Sequence, residues 1–126
     1  MPLNKRAGQQ RMRDVYHATR RIEQKVAGHT IDSFRHDLDA VDIVSYQILI
    51  IGEAVAHLPD DFKALSPHLD WNGMKAMRNV MAHHYWHIDV ETLWQTATRE
   101  VPALQAVIAQ HLDAEVDTGD EPHGRS

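Results

Sequence analysis

The chain has no cysteine. Disulfides, iron–sulfur ligation and thiol catalysis are therefore excluded, and a reducing, cytoplasmic setting is expected. Long apolar runs are missing as well. The most apolar region, Ile43 to Leu58, is broken by Ser45, Gln47, Gly52, Glu53 and His57. It is too short and too polar to span a bilayer. No apolar segment follows the basic N-terminus, so no secretory signal is expected. Strand-like alternation of apolar and polar residues is absent, and no segment repeats. Aromatic residues make up only 6% of the chain, and one place crowds them with imidazoles: His84-Tyr85-Trp86-His87.

What is present suits a single helical domain. The chain has 126 residues and is 43% hydrophobic, enough for one core. Residues 1–9 read as a flexible arm. From Gln10 to Ala27, Met12, Val15, Tyr16, Ile22 and Val26 recur at helical spacing, and Gly28 suits the position after the helix end. Thr30, Asp32 and Ser33 are candidate caps for the next helical segment. The most apolar helix is expected from about Asp37 to His57, with Leu38, Val41, Ile43, Val44, Ile48, Leu49, Ile51 and Val55 among its apolar positions, and it is expected at the centre of the core. Gly52 within it costs ~1 kcal/mol against alanine. A close helix–helix approach, a dimer contact being one version, would explain that cost. Pro59-Asp60-Asp61 ends this helix and opens a short helical turn, and Ser66-Pro67 is another break. The third long helix runs from about Trp71 to His83. Asp89 caps a fourth, from Val90 to about Leu112, which Pro102 should kink or split near Val101. Beyond Leu112, residues 113–126 read as an acidic disordered tail. The expected architecture is all-α, an antiparallel four-helix bundle with its domain over residues 10–112.

Net charge is −5, which does not advertise a nucleic-acid binder. The distribution is more telling. Residues 1–25 carry seven cations against Asp14 and Glu23, a balance of +5, and residues 113–126 carry five acids against Arg125, a balance of −4. A basic first helix attracts phosphates, or is simply a solvated face.

The stretch from Trp71 to Trp94 holds the chemistry. Arg78, His83 and Tyr85 stand at the spacing Arg-x4-His-x-Tyr. On a helix, five residues separate Arg78 and His83 by about 140° around the axis. They can flank one edge of a helix end without stacking. A guanidinium and an imidazole close together suit phosphodiester cleavage in RNA. Histidine moves a proton near neutral pH, from the 2′-hydroxyl or to the leaving 5′-oxygen. Arginine stabilises charge on the phosphorane-like transition state. Two cations stabilising a helix C-terminus is the plainer alternative.

Arg78-Asn79-x-x-Ala82-His83-x-Tyr85 resembles the Arg-x4-6-His motif of HEPN domains, and more closely that of their HepT branch. Ile51-Gly52-Glu53-Ala54 upstream, Trp71 and Trp94 fit the same branch, and the resemblance covers roughly residues 10–112. It implies a HEPN-like four-helix bundle and a metal-independent endoribonuclease. Its site would be a cleft between two subunits, each contributing one motif. It further implies the toxin half of a type VII (HepT–MntA) toxin–antitoxin pair. In such pairs the tyrosine, here Tyr85, accepts a nucleotide from a minimal nucleotidyltransferase that uses ATP and magnesium. On that reading Arg78 and His83 are catalytic, and the partners are a second copy, an MntA-type antitoxin and RNA. No cofactor is expected on this chain itself. A non-catalytic HEPN dimer serving as a binding platform for the transferase is the alternative.

Supporting roles are assigned to Asn79, which could hydrogen-bond RNA or orient His83, and to Glu53. Leu49, Ile50 and Ala56 surround Glu53 on its helix, so an inward carboxylate wanting a cation such as Arg78 is one reading, and a solvent-facing one the other. Ten histidines raise the question of a metal. His83 and His87 are four apart, but zinc wants three or four ligands, and no His-Glu-x-x-His pattern completes a set. No metal site is expected, and His84 and His87 receive no role.

Overall fold

The computed structural model describes residues 2–83 and 88–119, with side chains over 8–83 and 88–113. Helix α1, Pro2–Val26, starts the bundle. It begins well before Gln10, so the arm expected over residues 1–9 is helical from Pro2. Proline is favoured at a first helical position, and only Gly8 interrupts an otherwise helix-compatible run. Met12, Val15, Ala18, Thr19 and Ile22 form its buried stripe. Gly28 ends it at φ +79°, a left-handed conformation that glycine adopts without steric cost.

Helix α2, Ile31–His36, is one short piece set by a capping box. Thr30 Oγ1 accepts from the Ser33 amide, and Ser33 Oγ accepts from the Thr30 amide. Asp37 then caps α3, Leu38–Ala56, by accepting from the Ala40 amide at 3.1 Å. Helix α3 is the centre of the bundle and packs on α1 and on α5. Ala40, Val44, Ile48, Ile51 and Val55 are its buried apolar positions. Leu38, one of the apolar positions of this helix, is 72% exposed because it opens the helix before any neighbour covers that side.

Helix α4, Asp60–Ala64, buries Phe62. Trp71 locks the loop between α4 and α5: its indole N–H lies 3.1 Å from the Lys63 carbonyl and 3.0 Å from that of Ser66. Helix α5, Trp71–His83, starts where Asp70 accepts from the Gly73 amide at 2.9 Å. A Cβ at Gly73 would meet the Asp70 carboxylate, which would have to shift to make room.

Asp89 caps α6, Val90–Gln95. Its carboxylate accepts from the Thr92 hydroxyl at 2.8 Å and the Glu91 amide at 3.1 Å, and these bonds hold its carboxyl below the usual carboxylate range. The chain continues through a π-helical stretch, Thr96–Glu100, into α7, Val101–Gly119. Within it the Val101 amide reaches back to the Thr96 carbonyl. Pro102 supplies a cause: it lacks an N–H, and its ring would strike the carbonyl four residues back, so the preceding turn widens. Helix α7 runs past Leu112, where the tail was expected to begin, because nothing before Gly119 breaks it.

The four long segments α1, α3, α5 and α6–α7 make the expected antiparallel all-α bundle. Val15, Ile22, Phe34, Val44, Val55, Leu93, Leu104 and Ile108 are fully buried in its core.

Candidate functional site

Arg78 sits midway along α5, on the side facing α3. Its guanidinium Nη1 lies 2.8 Å from Glu53 Oε1, a hydrogen-bonded ion pair between residues 25 apart in sequence. The Arg78 side chain is 23% exposed and that of Glu53 is 56% exposed. The pairing of Glu53 with Arg78 is the one the sequence offered, but the carboxylate is not the inward one that its helical neighbours suggested. It stands at the surface and reaches sideways to the arginine. Among the described residues Glu53 engages one guanidinium nitrogen of a fork that carries five N–H donors.

Gly52 makes this possible. A Cβ there would overlap the Cβ of Arg78 and lie 3.1 Å from the Met74 carbonyl oxygen and 3.2 Å from Arg78 Cα. The close approach anticipated for Gly52 is thus between α3 and α5 of the same chain. With no side chain at 52, the two backbones come near enough for Glu53, one residue on, to reach Arg78.

The same seam orders the surrounding residues. Gly52 and Arg78 face each other, and their successors Glu53 and Asn79 each turn about 100°. In an antiparallel pair that rotation brings both to the same side of the two helices. Asn79 is exposed there, as are Lys75, Ala82 and His83. Arg78 and His83 therefore bracket an open, solvent-facing sector of α5 with Asn79 between them. His83 is the last residue of α5. Tyr85 lies outside the described residues, together with His84, Trp86 and His87. Among the described residues no group of three or more metal-binding side chains comes together.

On its other flank α5 borders a groove of about 350 Å³ against the π-helical stretch, with Met74, Met77 and Val80 as its floor and Thr96, Arg99 and Glu100 opposite. Sequence patterning did not indicate it. Pro102 was the only sign that the facing helix would depart from α geometry.

An exposed arginine held by a carboxylate, next to an asparagine and a terminal histidine, suits anion binding with proton transfer. Residues 15–111 match the family described as "Ribonuclease HepT-like". The chain belongs to the HepT-like ribonuclease family. A "Probable ribonuclease HepT" of Thermococcus cleftensis is 33% identical over 101 residues, covering 80% of this chain and 92% of that protein. A protein of Methanocaldococcus jannaschii whose name provisionally assigns it as an RNase is 37% identical over 73 residues, covering 58% of this chain and 60% of its own. A similarly named protein of Caldanaerobacter subterraneus is 27% identical over 92 residues, covering 73% and 82%. No solved structure matches the chain. Membership makes this HepT-like chain a ribonuclease, and the Arg78–His83 sector is the candidate for its active site.

Proposed function

We propose that this ribonuclease cleaves RNA without a metal or other cofactor at a cleft between two copies of the chain. On this reading it is the toxin of a type VII toxin–antitoxin pair. The observation carrying the proposal is the Arg78–Glu53 pair, which fixes a guanidinium on an exposed face beside Asn79 and the His83 end of α5. The 2′-hydroxyl is the nucleophile. His83 of one copy removes its proton as the oxygen attacks phosphorus, and the second copy's His83 protonates the departing 5′-oxygen. Arg78 binds the phosphate oxygens as charge grows on them. The products are a 2′,3′-cyclic phosphate and a free 5′-hydroxyl, so no water or metal enters the first step. Among the described residues no helix is long and apolar enough to cross a membrane, and a cytoplasmic location fits both the RNA substrate and an ATP-using partner.

Control is assigned to Tyr85, two residues beyond His83. Nucleotidylylation there by an MntA-type transferase would place a phosphodiester and a nucleoside in the substrate path, competing with RNA for Arg78. Two measurements test the proposal. His83→Ala should lower RNA cleavage by the purified protein at least a hundredfold while the helical circular dichroism is retained, and wild-type rates from that variant would end the catalytic assignment. Incubation with a cognate transferase, ATP and magnesium should add nucleotide mass to the wild type and none to Tyr85→Phe. Equal labelling of both would remove Tyr85 from the proposal.

A further inference from the structure

The exposed side of the α3–α5 seam holds two residues that neither the motif nor the family assignment uses. One is Tyr46 on α3, an aromatic side chain 60% exposed. The other is Lys75 on α5, exposed and without an acidic partner within 4 Å among the described residues.

Both are placed by register. Tyr46 precedes Glu53 by seven residues, two helical turns, so the two share a bearing to within about 20°. Along the seam, Ile51 and Ile48 step back on α3 as Met74 and Met77 step forward on α5, and all four line one small apolar space. Continuing that register sets Tyr46 level with the C-terminal half of α5, where Asn79 and His83 stand. Lys75 lies one turn before Arg78, with the two Cβ atoms about 5–6 Å apart, at the other end of the face. In order along the surface the face therefore offers an aromatic ring, the histidine end, the clamped arginine and a free lysine.

That series has the chemistry of a single-stranded nucleic-acid site. Aromatic rings take bases by stacking whatever their identity, and cations follow the phosphates. Paired RNA would hide its bases from Tyr46. We infer that this face is a track for single-stranded RNA: Tyr46 stacks a base on the His83 side of the cut, and Lys75 holds the phosphate next to the scissile one on the Arg78 side. The inference rests on the ribonuclease reading, which leaves RNA on this face, and it extends the site to two positions outside the motif.

The test uses the full-length protein and a 2′-O-methylated oligouridylate, which has no free 2′-hydroxyl and reports binding without cleavage. Tyr46→Ala should weaken binding about tenfold, the effect of losing one stacked base, and Tyr46→Phe should restore most of it. Lys75→Gln should reduce the slope of log affinity against log salt by about 0.7, the signature of one lost phosphate contact on a single strand. Its loss in kcat/KM should be larger on a hexanucleotide than on a dinucleoside monophosphate, which has no second phosphate. Equal affinity of Tyr46→Ala and wild type, or Tyr46→Phe as weak as Tyr46→Ala, overturns the stacking role. An unchanged salt slope in Lys75→Gln overturns the phosphate contact. If light scattering shows that Tyr46→Ala dissociates a dimer, Tyr46 is an interface residue of the cleft and its stacking role is wrong. Cleavage of unmodified RNA by the wild type is scored separately. A protein that binds as described and does not cut defeats the nuclease reading and leaves the track standing.

Discussion

Two of the helix seams that polar side chains bridge among the described residues differ in charge and in exposure. Between α1 and α7, Gln105 Nε2 donates to Thr19 Oγ1 at 3.2 Å and approaches Glu23 Oε1 at 3.4 Å. Thr19 is fully buried, and its own hydroxyl donates to the Tyr16 carbonyl at 2.6 Å. The Gln105–Thr19 bond is a neutral, part-buried contact that satisfies a buried hydroxyl, and only its outer end, at Glu23, reaches the surface. Between α3 and α5 the bridge is the Arg78–Glu53 ion pair, charged, at 2.8 Å, and open to water. An exposed pair of this kind contributes little to stability, typically 0–1 kcal/mol. A molecule that needed only to hold two helices together would gain as much from an apolar contact. The α3–α5 seam goes further and removes a side chain, at Gly52, to let the pair form. The first seam is built for the fold and the second for a surface.

Substitutions can break this contrast. The largest effect is expected from Gly52→Ala. The new methyl group overlaps Arg78, so α5 must shift from α3, at a cost of about 1–3 kcal/mol. Thermal unfolding should fall by several degrees, and RNA cleavage should fall with it because Arg78 moves. Full stability with full activity would show that the close approach is incidental. Next comes Glu53→Gln, which keeps the shape and removes the charge. Cleavage should drop about tenfold through loss of arginine placement, while denaturant midpoints change by no more than the ~1 kcal/mol of an exposed pair. A large stability loss with unaltered cleavage would make the pair a structural tie. The smallest effect is expected from Thr19→Val in the other seam: a stability loss of about 1 kcal/mol, read by urea denaturation, with cleavage retained.

Much of the fold was legible because its signals are local. Thr30 and Asp89 read as caps and cap their helices, Gly28 and Trp71 mark a stop and a start, and the caps at Asp37 and Asp70 came to light in the structure. The bounds of α5 follow from these. The site was legible only in part. The Arg78 and His83 spacing identifies a candidate pair on one helix, but the geometry of Glu53 depends on how α3 lies against α5, which no window of sequence encodes. Leu38 and Tyr46 show the same limit. Leu38 counts among the apolar positions of α3 and Tyr46 has no place in that pattern, and both are exposed because the helices that cover α3 leave them open. The beginning of α1 was misread for another reason: a basic, polar run looks like an arm until its length and proline start are weighed as helix. The π-helical stretch is a local consequence of Pro102, and the sequence showed only that something would change near it.

The central claim is that the Arg78–His83 face cuts RNA through the substrate's own 2′-hydroxyl, with no metal. The most direct measurement incubates the purified protein in EDTA with an RNA strand and with the all-2′-deoxy strand of the same sequence, and identifies the ends formed. The account predicts cleavage of the RNA alone, leaving 2′,3′-cyclic phosphate ends. Cleavage of the deoxy strand, or cleavage that EDTA stops and magnesium restores, would contradict it.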